Sequence, residues 1–355
     1  MKNQSFSDFY VNRRTRKGNF LNQIDHLIDW KPIEQVIRQH YAPLSDVVGR
    51  PAYPGLLLFK MLLVGIWNGG LSDEAVEEMA NANLHVMRFL DLSLEDDVPD
   101  HSVLSRFRTR LTQAKAWDSL LMQINQQIES YQLIVKNGCY VDASITQSPR
   151  KPKKKPTYQV VNDREERYDE PEAQAEMRVI AVTQPGVDDQ ARWTKKAGKP
   201  LFGYKQHTLV DQQGLVLAVM TTAANQHDSQ PFIALVDKAS LPKGCRVGSD
   251  KAYASQKHQK ALKERGLKNG IQDKALKNKP LTNRQRLRNR QISTERYVVE
   301  RTFGSQQRWF GSKILRYIGV AKAHAWHSLQ AMAYNLKRLP ALYVNRVCLQ
   351  ASCAC

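Results

Sequence analysis

The chain has 355 residues, 42% hydrophobic and 25% charged, with 53 Lys+Arg against 34 Asp+Glu and a formal net charge of +19. That length suffices for about two domains with a sizeable core, and the composition excludes a mainly disordered chain, a collagen-like repeat and a small disulfide scaffold. The most apolar run, Leu56 to Trp67 with Lys60 inside it, falls short of the roughly 20 apolar residues of a membrane span.

The first 125 residues read as helical. Asn22 to His40 carries Ile24, Leu27, Ile28, Ile33, Val36 and Ile37 at helical spacing, and Pro32 divides it into two helices. Pro54 opens a helix over Leu56–Trp67 that Gly69-Gly70 ends, and Ser72 caps the next, with Asp73 and Glu74 in its first turn, running to about Asn81. A short helix follows at Leu84–Leu90. After Pro99-Asp100, with Ser102 as the expected cap, Val103, Leu104, Phe107 and Leu111 share a face while Arg106, Arg108 and Arg110 project from the rest. A plain bundle and a helix-turn-helix pair both fit, the bundle better.

Strand character begins at Leu133–Ile145, rich in β-branched and aromatic residues. Thr146 to Pro200 forms a core poorly: a basic run from Arg150 to Lys155 precedes an acidic one around Asp163 to Glu176, with one short strand expected at Val179–Val182. Gly203–Asp211 and Gly214–Thr222 flank a Gln212-Gln213 turn as a hairpin. Then come a helix capped by Asp228 or Ser229 and running to Ala239, a strand at Arg246–Ser249, a helix at His258–Gly266 and a strand at Asn269–Gln272. A long helix from Asn283 to Phe310 and a last one at Lys322–Leu339, stopped by Pro340, complete the chain. The order predicts an α/β mixed sheet behind an all-α N-terminal part. The expected division is 1–125, 126–345 with an insertion at about 147–200, and a flexible tail at 346–355. The five cysteines form no CxxC pair, and with no apolar leader in MKNQSFSDFY the expected location is the cytoplasm.

The charge is uneven. Residues 1–120 hold 14 Lys+Arg and 15 Asp+Glu, whereas residues 251–318 hold 18 and 4. A polyanion partner follows, and charge alone leaves DNA, RNA and a plain solvated basic face open. Three carboxylates stand out in this acid-poor half. Asp142 interrupts an apolar strand, Asp250 ends another, and Glu300 sits in a helix among basic neighbours. Brought together at one sheet edge they would hold hard divalent cations for phosphodiester chemistry. Each also has a plain alternative: Asp142 paired with Lys205 or Lys251, Asp250 as a helix cap, Glu300 paired with Arg296 one turn away.

These same residues carry a resemblance. VPDHSVLSRFRTRL, YVDASI, FGYKQHTLVD with TTAANQHDS, GSDKAYAS and ERYVVERTFGSQQRWFG occur in that order, and together they resemble bacterial insertion-sequence transposases of the DDE superfamily, close to the family named after insertion sequence five. The resemblance implies a ribonuclease-H-like catalytic domain with an insertion. It implies Asp142, Asp250 and Glu300 as catalytic ligands of two Mg²⁺ ions, with Mn²⁺ able to substitute. It implies cleavage of transposon-end DNA, joining of the 3′-hydroxyl to target DNA, and a homodimer assembled on double-stranded DNA. A metal-dependent nuclease without strand transfer, and a catalytically inactive DNA-binding protein, are the alternatives. Related families carry Tyr-x2-Arg-x3-Glu-x6-Lys around the last acid; here the four positions are Ser293, Arg296, Glu300 and Gln307. The expected DNA contacts are Arg296, Lys205, Lys251, Arg284, Arg286, Arg288, Arg290, Arg308, Arg106 and Arg108. His207, Asn225 and His227 are candidates for the same edge. Trp193 is either a base-stacking residue or, the better reading, a buried one.

Overall fold

The computed structural model describes residues 6–17, 19–41, 52–153, 157–162, 177–182 and 184–352. The acidic run at 163–176, Lys154, Lys155, Cys353 and Cys355 lie outside them.

Among the described residues eight helices come first: α1 (Phe6–Arg14), α2 (Phe20–Leu27), α3 (Trp30–His40), α4 (Gly55–Trp67), α5 (Asp73–Ala82), α6 (Leu84–Phe89), α7 (His101–Gln113) and α8 (Trp117–Ser130). Pro32 stands in the first turn of α3, where a missing N–H leaves no hydrogen bond broken. Every residue of α4 from Leu57 to Trp67 is buried. Its one charge, Lys60, is matched by Asp25 at 2.7 Å and the Phe89 carbonyl at 2.9 Å, as burial of an ammonium requires. Ser72 caps α5 as expected, accepting from the Ala75 N–H. The cap of α7 is Asp100, which accepts from Val103 N–H at 2.9 Å, while Ser102 Oγ donates to Asp100 at 2.6 Å. Asp100 still has extended backbone, whereas Ser102 is already inside the helix.

The sheet comprises β1 (Gly138–Gln147), β4 (Arg192–Lys196), β5 (Lys199–Asp211), β6 (Val216–Ala223), β7 (Arg246–Ser249) and β8 (Lys268–Ile271), with β2 (Thr157–Asn162) and β3 (Met177–Val182) forming a separate ribbon. β1 starts later than Leu133 because the preceding residues are bonded elsewhere: Leu133 N–H closes the end of α8 on Ile128 O, and Val135 N–H goes to the Asp211 carboxylate. The described residues of the insertion supply three strands where one was expected. Among them β2 and β3 pair only with each other, and β4 pairs with the first residues of β5. β5 and β6 form the expected hairpin, whose turn is held by Asp211 Oδ1 accepting from the Gln213 and Leu215 N–H groups.

Within the main sheet β1 is central, antiparallel to β5 and parallel to β7; β6 lies beyond β5 and β8 beyond β7. The order β6-β5-β1-β7-β8, three antiparallel strands followed by two parallel ones, is that of a ribonuclease-H-like core. β1 and β5 approach closely at Gly203, where an added Cβ would lie 2.1 Å from Thr146 O. Alternate residues of β1 face opposite layers. Cys139 and Val141 join the core under α9 (Phe232–Lys238) and α10 (Gln256–Glu264), and Tyr140 joins the larger core shared with the N-terminal helices.

Two long helices close the molecule. In α11 (Asn283–Phe310), Thr282 and Gln285 form a capping box and Gly311, at φ 62°, ends the helix in the left-handed region. Its buried stripe is Ile292, Arg296, Val299, Phe303, Gln306 and Phe310, steps of four and three that face one side. α12 (Val320–Ser352) does not stop at Pro340, and residues 346–352 are helical, not a flexible tail. Packing beyond the proline holds the helix. Tyr343 lies on Tyr131 with ring centroids 5.3 Å apart, and Arg346 donates to Gln132 O at 2.7 Å. Such tertiary interactions outweigh the hydrogen bond that proline removes. Among the described residues no helix is long and apolar enough to cross a membrane.

Candidate active site

The three acids are placed by three elements. Asp142 is midway along β1, on the same face as Tyr140 and beneath α11. β7 runs parallel with Tyr140 opposite Gly248, so continuing that register two residues brings Asp250, just past the strand, level with Asp142. Glu300 is exposed on α11, which packs against β1, β5 and β7. One buried face of α11 fixes this approach. Tyr140 Oη donates to Glu295 at 3.1 Å, Glu295 also pairs with Arg246, and Val299 is wholly buried.

Asp142 is the most constrained of the three. Its Oδ1 accepts from Ala143 N–H at 2.9 Å and its Oδ2 from Arg296 at 3.0 Å. Arg296 is therefore neither the partner of Glu300 nor free: it is buried on the α11 stripe and aimed at Asp142. Burial pushes the Asp142 carboxyl above its ordinary range; Arg296 opposes this, and the charges of Asp250 and Glu300 add to it. Both of those charges thus reach Asp142 through space. Asp250 also does what its plain alternative proposed, capping the 3₁₀ turn Lys251–Tyr253 by accepting from Ala252 N–H at 2.8 Å.

Among the described residues no three Asp, Glu, His or Cys side chains are gathered as a ready metal cage. The donor set nonetheless fits a hard divalent ion. The charges of Asp250 and Glu300 both bear on the Asp142 carboxyl, a repulsion that a cation would relieve, and Arg296 Nε and Tyr253 Oη are buried without partners among the described residues. The cation now beside Asp142 is a guanidinium, with which a metal ion at Oδ2 would compete for that oxygen.

The remaining candidates divide. Arg284, Arg286, Arg290 and Arg308 are exposed along α11, and Lys251 is exposed beside Asp250. Arg106 is exposed on α7, donating to Ser102 Oγ at 3.0 Å. Arg288 turns inward, donating to Ile271 O, Asn269 O and the Asp273 carboxylate at 2.9–3.0 Å, and so pins α11 to the end of β8. Lys205 holds the loop after β6 through Asp228 and Gln226 O, each at 2.7 Å. Asp228 is therefore the partner of Lys205, and α9 begins later, at Phe232. His207 is buried against Thr222 Oγ1 at 2.8 Å, and burial lowers its pKa to about 4. Asn225 and His227 are exposed. At the signature positions that differ, Ser293 accepts from Gln272 Nε2 at 2.6 Å and Gln307 Nε2 reaches Ser144 Oγ at 3.4 Å. Trp193 is not buried: it is 47% exposed, its ring 5.2 Å from that of Phe202, because β4 borders the sheet without a layer over it.

Arg108 is a correction. It is buried, bound by both oxygens of Asp73 at 2.8 and 2.6 Å, and lies 4.5 Å from the Tyr317 ring centre. It joins α7 to α5 and cannot reach a phosphate without breaking that pair. Arg108→Ala is expected to lower the free energy of unfolding by about 3 kcal/mol, because Asp73 is left without its partner, and to leave the salt dependence of DNA binding unchanged. Denaturant melts and binding titrations read both, and a weaker salt dependence with intact stability would overturn the structural assignment.

The charges of Asp142, Asp228 and Asp250 all act on the buried Tyr253, a grouping that no spacing rule along the chain predicts.

Two family models match the chain, the Transposase DDE domain over residues 137–336 and the Transposase domain (DUF772) over residues 9–110. The transposase for insertion sequence element IS1106 of Neisseria meningitidis serogroup B is 36% identical over 233 residues, 65% of this chain and 75% of that protein. Two solved structures resemble it loosely. The Mos1 strand transfer complex covers 84% of this chain and 80% of its own, at 11% identity and a TM-score of 0.20. A pre-cleavage Mos1 transpososome covers 91% and 97%, at 10% identity and a TM-score of 0.21.

Proposed function

Since the chain belongs to the DDE transposases of bacterial insertion sequences, we propose that it cuts phosphodiester bonds at the ends of its element and joins the freed 3′-hydroxyls to target DNA, using Asp142, Asp250 and Glu300 as ligands for two Mg²⁺ ions. What supports this reading is the Asp142 carboxyl lying under the charges of both Asp250 and Glu300, with Asp250 level with Asp142 when the β1–β7 register is continued. When bound there, the ions would supply an activated attacking oxygen and a stabilised leaving oxygen, as in other two-metal sites.

The chain's own residues do the rest. Asp142 is held on the central strand by Ala143 N–H, which leaves Oδ2 as the oxygen to be exchanged. Arg296 gives up Oδ2 and takes a phosphate oxygen beside the scissile bond, a trade of one oxyanion for another that a guanidinium makes readily. Arg284, Arg286, Arg290 and Arg308 line the approach of the duplex along α11, with Lys251 at its catalytic end and Arg106 on the helical part. Residues 1–125 serve DNA binding and dimerisation and 126–345 catalysis, with α12 packed across α2, α4, α7 and α8. The protein works in the cytoplasm, as a homodimer when two element ends are held.

Strand joining separates this reading from a plain nuclease. Purified protein incubated with terminal-repeat DNA, target plasmid and Mg²⁺ is expected to yield both nicked ends and joined products. Cleavage without any joined product would favour the nuclease.

A further inference from the structure

Tyr253 is 1% exposed, its ring centroid 5.3 Å from that of Phe232, and its carbonyl receives the His258 Nδ1–H at 2.7 Å. Those interactions anchor the ring and the backbone. The hydroxyl, by contrast, has no hydrogen-bond partner among the described residues. Buried hydroxyls are rarely left so, since an unmade hydrogen bond weakens the fold.

Its surroundings suggest what the hydroxyl is for. The 3₁₀ turn that Asp250 caps ends at Tyr253, and Asp250 stands level with Asp142 across the β1–β7 pairing. The carboxylates of Asp142, Asp228 and Asp250 all bear on the phenol, Asp142 most strongly, with Arg296 acting against them. A donor without an acceptor thus lies under the charge of a carboxylate whose two oxygens are engaged by Ala143 N–H and by Arg296. Arg296 has an unpartnered nitrogen of its own, the buried Nε, so the cluster is unsatisfied on both sides of Asp142.

We propose that Tyr253 is a positioning residue for the metal site: its hydroxyl donates to the Asp142 carboxylate once Arg296 withdraws, and holds that carboxylate in its ligating orientation. Partners behind a metal ligand commonly set its orientation in this way. The proposal rests on Asp142 being a metal ligand.

Tyr253→Phe removes one oxygen and no packing, which gives the test a signature that a structural role lacks. In the full-length protein, thermal stability is expected to be unchanged or raised, because an unpaired buried hydroxyl is gone. Mn²⁺ affinity, measured by calorimetry without DNA turnover, is expected to weaken about tenfold. Cleavage should recover when the metal concentration is raised. Wild-type Mn²⁺ affinity in Tyr253→Phe, with or without a fall in melting temperature, overturns the proposal. Glu300→Gln, an exposed change, runs beside it. If that variant is weakened and Tyr253→Phe is not, only the tyrosine's role fails. If both bind Mn²⁺ as the wild type does, the metal site itself fails and the tyrosine's role with it.

Discussion

Replacing Glu300 by Gln is expected to slow transposon-end cleavage by about a thousandfold, the effect of losing several kcal/mol of transition-state stabilisation at a metal site, while leaving the melting temperature where it was. The two halves of that expectation come from different facts. Glu300 is exposed on α11 and neither packs in the core nor pairs with Arg296, so its removal leaves the fold alone. Its charge reaches Asp142 nevertheless, which is the ground for proposing it as a ligand. Asp142→Asn should be as inactive but less stable, by about 3 kcal/mol, because Arg296 would be left buried without its counter-charge. Single-turnover cleavage of a labelled element end, beside melts of each variant, separates the two. A Glu300→Gln protein that cuts within tenfold of the wild-type rate would remove Glu300 from the ligand set.

The second large effect is on DNA affinity. Changing Arg284, Arg286, Arg290 and Arg308 together to Gln is expected to flatten the slope of log affinity against log salt by about 3 to 4, at about 0.9 for each phosphate no longer neutralised. These four are exposed along one helix, whereas Arg288 in the same run is spent on the end of β8. Arg288→Gln should accordingly lower stability and leave the slope as it is. A flat response in the quadruple variant would place the duplex on another surface, and a reduced slope in Arg288→Gln would mean that its pairing with Asp273 opens on DNA.

Much of this was legible along the chain. The hairpin, the short strands at Arg246–Ser249 and Lys268–Ile271 and the long helix over Asn283–Phe310 were all expected near their observed places, because alternation, turn residues and capping act within a few residues. The α11 stripe was also there to be read: Arg296 falls in step with Ile292, Val299 and Phe303, and an arginine on a buried stripe must find an anion. Which anion is not a local property. Asp142 lies 154 positions away, and only the stacking of α11 on β1 joins them.

The misses have the same origin. Pro340 is a local stop signal, overridden by Tyr343 and Arg346 packing on residues at the end of α8. Arg108 looked like one of three arginines projecting from α7, and became a core residue because α5 places Asp73 against it. Leu133 has the β-branched neighbourhood of a strand, yet its N–H is taken by α8. Trp193 looked large enough to be buried, but its strand borders the sheet.

The sequence by itself determined the order of the strands and helices, an acid inside an apolar strand, a second at a strand end, a third in a helix among basic neighbours, and a basic stretch around the last of them. Those follow from periodicity, propensity and charge, which are summed over neighbours in the chain. Only the tertiary structure decided what each charge is for. It matched Arg296 to Asp142, Arg288 to Asp273 and Arg108 to Asp73, left Arg284, Arg286, Arg290 and Arg308 facing solvent, and buried a tyrosine hydroxyl, without a partner among the described residues, under the charge of Asp142. Ion pairs and orphaned donors depend on distance and burial, and both are fixed only when distant segments pack.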